Sequence, residues 1–401
     1  MNRILQPRHR ADNLYYGSAK MLERASYYGL KSLLILYMTG DELRMHPNNA
    51  IAILGWVTSG LVVSKIIGAL LGDLWLGNKK AILLGGLLQT VGILTMCIPT
   101  VYVLYVGLFL MVVGNGLFNP NLTANYGKAY LDNPPLLDAG FTLFYLLTNV
   151  GSLAGVLLVG YWTDRMGYTS SFALLGLLSL LTLPLVGRTK TAQVTKTVSL
   201  KVGVVNIALV LFLIGLFSGL YEIASIRVYD VQYDLSELED TGFSQGTWQS
   251  MNTLFLVPLG LLAILVWTYF YQSPYFKLFL GFVFAGLGCL PILFIPEIPQ
   301  NQHHTALLLG FAFLILAEIH ILPLVDSVLT QYANPKYLAI LVSLSFVPTE
   351  LMLTIFGLFN APFYDDPIWG LQFGMGAMFV MGTVVAAGLF LVKKNQVQTG
   401  H

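Results

Sequence analysis

An all-α polytopic membrane protein, built as two bundles of six helices, is the fold that the sequence predicts. Three observations carry that expectation: the scarcity of charge, the number of apolar runs, and one basic break that divides them. Of the 401 residues, 56% are hydrophobic and only 10% are charged, whereas a soluble chain carries about a quarter charged residues. Twelve apolar runs approach the length of about 20 residues that a bilayer-spanning helix needs. Loops rich in Gly, Pro, Asn and charge separate them. The longest polar interruption, Arg188 to Lys201, leaves six runs on either side. A soluble enzyme is excluded, and no enzymatic activity is expected. The 21 Lys and Arg nearly balance the 20 Asp and Glu, so no global field favours nucleic acid.

In chain order the spans are placed at about 14–39, 49–76, 80–98, 100–130, 138–163 and 168–187, then 203–231, 245–271, 276–296, 304–331, 337–359 and 367–392. The implied organisation is a first bundle over 1–187, a cytoplasmic linker over 188–202 and a second bundle over 203–401. Two six-helix halves joined by a basic linker is the pattern of the major facilitator architecture.

Loop charge sets the orientation. With the N-terminus inside, the cytoplasmic segments hold Arg3, Arg8, Arg10, Lys79, Lys80, Lys128, Arg188, Lys190, Lys196, Lys201, Lys277, Lys336, Lys393 and Lys394, against only Arg44 and Arg165 outside. That bias places both termini in the cytoplasm and the chain in the plasma (inner) membrane. The acidic outer loop of Asp234, Glu237, Glu239 and Asp240 reads as solvated. Met1 to Asp12 has basic residues but no short apolar core, so no removable signal peptide is expected. Cys97 and Cys289 lie in apolar runs and read as small buried hydrophobes, and no metal site is expected.

Ionisable residues inside the spans are the informative set, since each costs about 2.5–3.5 kcal/mol to insert at mid-membrane. The first half contains Lys20, Glu23, Arg24, Lys31 and Lys65; the second contains Glu222, Arg227, Glu318, Asp326 and Glu350. The halves therefore carry opposite charges of three units each. Such groups must face one another or a wet cavity. In span 1, Lys20, Glu23, Arg24, Tyr27, Tyr28 and Lys31 recur at steps of three and four, which puts them on one helical face. A ligand or coupling-ion pathway, or a structural salt-bridge network, fits that stripe. A basic half opposed to an acidic half suits a zwitterion, with its carboxylate near Arg24 and its amine near Glu318. Mutual neutralisation at a gate is the other reading, with Lys31 and Glu222 as the candidate pair.

At Glu23 the sequence becomes recognisable. Glu23-Arg24-Ala25-Ser26-Tyr27-Tyr28-Gly29 resembles the Glu-x-x-Glu-Arg-Phe-x-Tyr-Tyr-Gly signature of the proton-dependent oligopeptide transporters. Further segments resemble the same family: Asp73, Gly77, Lys79 and Lys80 between spans 2 and 3; Gly116 to Asn121 in span 4; and Asp138 to Tyr145, with Asn149 and Gly151, in span 5. Gln249 to Asn252 resembles span 8, and Glu318 to Pro323, followed by Asn334-Pro335-Lys336, resembles span 10. The resemblance implies proton-coupled uptake of di- and tripeptides by alternating access. Arg24 would take the peptide carboxylate, with Tyr27, Tyr28 and Asn119 lining the site. Asn149 and Asn252 would hold the backbone, and Glu318 the amino end. Lys20, Glu23, Lys31, Glu222 and Asp73 would serve coupling and gating. The proton is the coupling ion, with no other cofactor. The implied partners are the peptide, protons and the lipid bilayer, with the chain acting as a monomer and binding no nucleic acid.

Two positions depart from the family. Lys20 stands where the first glutamate belongs, and Asn119 where span 4 has lysine. A lysine transferred from span 4 to span 1 would keep a cation for the carboxylate, while the lost acid bears on proton coupling. Carriage of another small solute, such as an amino acid or amine drug, and a non-transporting peptide-binding paralogue stay open. His320 reads as a packed polar residue or a proton acceptor. Asp326 reads as solvated, and Glu350 as a second acidic site or the partner of a kink at Pro348. No ATP-binding glycine loop is present.

Overall fold

The computed structural model describes residues 9–190, 200–238, 245–270 and 272–398. It is 88% helical, with no strand among the described residues. The helices are α1 (Ala11–Thr39), α2 (Pro47–Leu71), α3 (Asn78–Thr95), α4 (Val101–Lys128), α5 (Leu137–Arg188), α6 (Leu200–Ser236) and α7 (Gln245–Tyr269). They continue as α8 (Pro274–Leu293), α9 (His304–Ile321), α10 (Leu324–Tyr332), α11 (Leu338–Leu344), α12 (Val347–Gly357), α13 (Ala361–Asp365) and α14 (Pro367–Gln398).

Helix covers each of the twelve stretches expected to span. Among the described residues, eight helical stretches are long and apolar enough to cross a membrane by themselves. One of them, Pro134–Arg188, has 55 residues, twice what a bilayer needs. It reverses at Gly167, whose φ of +75° suits glycine alone among ordinary residues. The spans at 138–163 and 168–187 therefore abut at one residue, with no loop between them. Three helices complete the set. α1 carries its charged stripe, α3 opens on Asn78, Lys79 and Lys80, and α7 has its apolar part in Thr253–Tyr269. The span at 304–331 is α9 and α10 in succession. That at 337–359 is α11 and α12, broken just before Pro348, where a proline removes a helix hydrogen bond. Two loop assignments change. Lys277 lies within α8, buried, with Nζ 4.6 Å from the centre of the Trp267 ring. Asp234 lies on α6, which outlasts its apolar stretch. Most of the linker, together with Arg3, Arg8, Glu239 and Asp240, lies outside the described residues.

The chain divides into two compact units. One comprises Met1–Ser199 with Leu329–Leu344, the other Leu200–Val328 with Ser345–His401. In the first unit α1 lies along α5, while α2 and α3 both pack on α4. Glycines permit this. A Cβ at Gly85 would stand 2.6 Å from the Gly114 carbonyl oxygen, and one at Gly92 would stand 2.6 Å from that of Gly107. The two contacts are seven residues apart on each helix, so α3 and α4 meet backbone to backbone along one seam. In the second unit α6 packs on α12 and α14, α8 on α9 and α14, and α7 on α9.

The first unit has two apolar cores. One joins Leu30, Leu34, Met38, Leu104, Met111 and Phe172; the other joins Tyr16, Ala19, Phe118, Leu122, Tyr126 and Phe141. Along α1 and α4 the segments between these cores are Lys20–Gly29 and Val112–Leu117. Both fall at mid-helix. Polar side chains of the motif thus form a layer between two greasy ones.

The α2–α4 contact offers a test of the seam. A Cβ at Gly116 would lie 2.2 Å from the Ser64 carbonyl oxygen, whereas nothing lies within 4 Å of one at Gly160. Gly116→Ala is expected to cost about 1–3 kcal/mol by overpacking. Gly160→Ala is expected to be neutral within about 0.5 kcal/mol. Thermal unfolding of the two variants in detergent checks this.

Candidate functional site

The polar layer is organised by one carboxylate. Glu23, on the buried face of α1, is 1% exposed. Its Oε1 accepts from Arg24 Nη2 at 2.9 Å, from Asn115 Nδ2 at 3.0 Å and from Asn119 Nδ2 at 3.1 Å. Its Oε2 accepts from Arg24 Nε at 2.7 Å. Four donors thus converge on two oxygens, and two of them form a fork from the neighbouring residue. Such charge-assisted pairs are shorter and stronger than neutral ones. Asparagines are what α4 must supply here. Its ladder already uses the backbone groups, and an amide NH₂ is a donor that brings no charge.

Arg24 bridges the layer to the aromatic face. Its guanidinium carbon lies 5.1 Å from the centre of the Tyr27 ring and 5.9 Å from that of Tyr28. The two rings stand edge to face at 5.1 Å. Glu23 uses two of the five N–H donors that an arginine has. The arginine side chain keeps 12% of its surface exposed while its partner keeps 2%. The carboxylate is sealed, and the cation is at the edge of the layer.

Behind the pair, Lys20 Nζ donates to Asn119 Oδ1 and lies 5.7 Å from the Phe144 ring centre on α5. The two positions that depart from the family are therefore in direct contact. Lys65 of α2 acts electrostatically on Glu23 and Arg24. Lys31, further out on α1, is exposed and lines a pocket with Tyr27, Leu34, Leu54, Thr58 and Met111. Asn149 is not drawn into the cluster's hydrogen bonds: its Nδ2 donates to the Tyr145 carbonyl of its own helix at 2.9 Å.

At the other end of the first unit, Asp73 sits in a π-helical turn at Gly72–Leu76. It accepts from Asn78 Nδ2 at 2.8 Å and from the Ile340 backbone N–H at 2.9 Å. Asn78 also bonds Asn121 Oδ1 at 2.7 Å and accepts from Lys128 Nζ at 2.7 Å. The basic residues grouped with Asp73 from sequence have other roles. Lys79 binds the carbonyls of Gly187 and Thr189, and Lys80 is exposed.

In the second unit, Glu318 on α9 accepts from the Tyr221 hydroxyl of α6 at 3.0 Å. Glu222 is exposed on the same helix as that tyrosine. Asn252 belongs to α7, and its side chain lies outside the described residues. Arg227 is buried and caps the chain end after α8, donating to the Pro296 carbonyl at 2.7 Å. His320 is held by the Leu316 carbonyl at 2.6 Å and packs against Trp267 and Phe284, the packed role expected of it. Glu350 is exposed in the first turn of α12.

Two partners escaped the sequence reading. Asn115 lies one turn before Asn119, a spacing that places both amides on one face of α4. Tyr221 adjoins Glu222 and could be read from that adjacency. Neither carries a charge, which is why a search for intramembrane charge passed over them.

The fold and the motifs together define a class, an all-helical polytopic membrane protein. Residues 79–218 match the sequence profile of the POT family. A dipeptide and tripeptide permease A of Chromobacterium violaceum is 34% identical over 159 residues, or 39% of this chain and 32% of that protein. A peptide transporter of Yersinia enterocolitica is 31% identical over 166 residues, or 40% of this chain and 32% of its own length. The match spans about a third of these curated relatives. Over nearly the whole chain the fold follows solved POT transporters. One, in complex with 5-aminolevulinic acid, has a TM-score of 0.60 at 19% identity, covering 94% of this chain and 96% of its own. Another, in complex with a thioalcohol-conjugated peptide, has a TM-score of 0.60 at 20% identity, covering 96% of each.

The layer has a direct test. Glu23→Gln removes the charge that pairs Arg24 and turns an NH₂ group toward other donors, and breaking a buried pair this way costs about 3–5 kcal/mol. Asn149→Ala removes one bond within a helix and is expected to cost about 1 kcal/mol. Unfolding midpoints of the purified variants rank the two.

Proposed function

We propose that this protein is a secondary carrier that takes di- and tripeptides, with protons, across the plasma (inner) membrane by alternating access. Its termini are cytoplasmic, and it works as a monomer. The observation that carries the reading is the Glu23–Arg24 pair with Tyr27 and Tyr28, set between two apolar cores at mid-helix. A buried arginine fork beside aromatic rings suits a planar carboxylate, which it can bind through two parallel N–H···O bonds. The peptide's amino end would be met by Glu318, whose Oε1 is oriented by Tyr221. The names of the permease and peptide-transporter relatives, and the bound peptide in one structural neighbour, support the same substrate class.

Proton entry supplies about 2.3 kcal/mol per 100 mV of membrane potential and about 1.36 kcal/mol per unit of pH difference. Either is enough to accumulate a neutral zwitterion several-fold. With lysine at position 20, the acids left for the coupling role are Glu23, Glu222 and Glu318. Glu23 is enclosed by four donors, so the two acids on the second half's helices are the better candidates. Lys31 and Glu222 would act at the outer gate, and Asp73 at the inner one.

The decisive experiment is uptake of radiolabelled dialanine into vesicles carrying the purified protein. Uptake is expected to rise several-fold when the outside is made acid, and to collapse when the gradient is dissipated. Uptake indifferent to the gradient would remove proton coupling from the proposal. Binding without any flux would identify a non-transporting paralogue. Glu318→Gln is expected to weaken dialanine at least tenfold while sparing its amino-acetylated analogue.

A further inference from the structure

We infer that Lys20 is the positioning residue of the carboxylate half-site: through Asn119 it orients Glu23 and Arg24, and it gives their neutral pair its positive charge. The inference rests on the carboxylate half of the reading above and assigns this chain's own route to it.

Geometry carries the argument. Glu23 and Arg24 neutralise each other through two hydrogen bonds, so the pair alone offers an incoming anion a dipole but no net charge. Lys20 Nζ binds Asn119 Oδ1. An amide whose oxygen is held by a cation must turn its NH₂ the other way, and Asn119 Nδ2 accordingly donates to Glu23 Oε1 at 3.1 Å. Lys20, Asn119, Glu23 and Arg24 thus form one chain of four polar groups. Each link is fixed by the one before it, from the inner side of α1, across α4, and back to α1. Lys20 is only 7% exposed and Asn119 6%, so the chain runs through a low-dielectric layer where a unit charge acts over several ångströms.

Among the described residues Lys65 of α2 also feels the charges of Arg24 and Glu23. It contributes charge without orienting Asn119. The two lysines therefore separate the effect of charge from the effect of position. The contact also implies interchangeability. If the ammonium came from position 119 and the amide from position 20, the same bond would form with its ends exchanged.

The test measures binding of dialanine and of N-acetyl-alanine, which keeps the carboxylate and lacks the amine, to purified protein by calorimetry. The variants are Lys20→Gln, Lys65→Gln and the exchange Lys20→Gln/Asn119→Lys, each first shown to unfold cooperatively. Lys20→Gln is expected to weaken both probes at least tenfold and Lys65→Gln by less than fivefold. The exchange is expected to return affinity to within about threefold of wild type. Unchanged binding in Lys20→Gln overturns the inference. So does an equal loss in Lys65→Gln, which would make the effect one of charge alone, or an exchange variant that is folded but not rescued. Wild-type protein that binds N-acetyl-alanine in a Lys20-dependent way but not dialanine would sustain the inference and sink the peptide reading. Failure of wild type to bind either probe overturns both.

Discussion

A carboxylate inside a membrane helix must be satisfied on both oxygens, and the first half of this protein is arranged around meeting that need for Glu23. A bare charge at this depth costs several kcal/mol. Four donors offset that cost, two from Arg24 and one each from Asn115 and Asn119. That requirement dictates where α4 lies against α1. It also explains why Asn115 and Asn119 interrupt the apolar run of α4, and why the hydrophobic core of this unit is split in two. The glycine contacts serve the same end. Asn121, one helical turn beyond Leu117, reaches the Gly68 carbonyl of α2 at 3.0 Å because glycines at 68 and 116 let the two backbones approach.

The same arrangement gives the acids of the two units different surroundings. Glu23 is enclosed and holds its arginine in place, whereas Glu222 is exposed and Glu318 has an oriented oxygen. A group fixed by four donors is a scaffold, and an exposed one such as Glu222 is open to exchange of protons and ligands. Replacing an acid by Lys20 in span 1 is consistent with that division of labour. It adds a cation where the carboxylate of a zwitterion would be held, and it removes a titratable group from the scaffold.

Much of this was legible in the chain. Scarcity of charge announced the membrane, and the three-and-four spacing from Lys20 to Lys31 put the motif on one face. Those are properties of single helices, and single helices are set by local pattern. The partners across helices were less legible. Asn115 and Tyr221 are uncharged, and the choice of Asn78 and Ile340 over the nearby lysines for Asp73 depends on which ends meet. Lys277 read as a loop cation, yet it is buried over Trp267, because a helix can begin before its apolar stretch does.

What the sequence determined by itself is the all-helical membrane class of the protein and the identity of the charges within its apolar runs, since insertion energies depend on composition and run length. What only the tertiary structure decided is which of those charges are spent on one another. Lys20 and Asn119 are 99 positions apart, and no periodicity links them. They meet because α1 and α4 share one buried polar layer, and that contact turns two isolated departures from a motif into a single hydrogen bond.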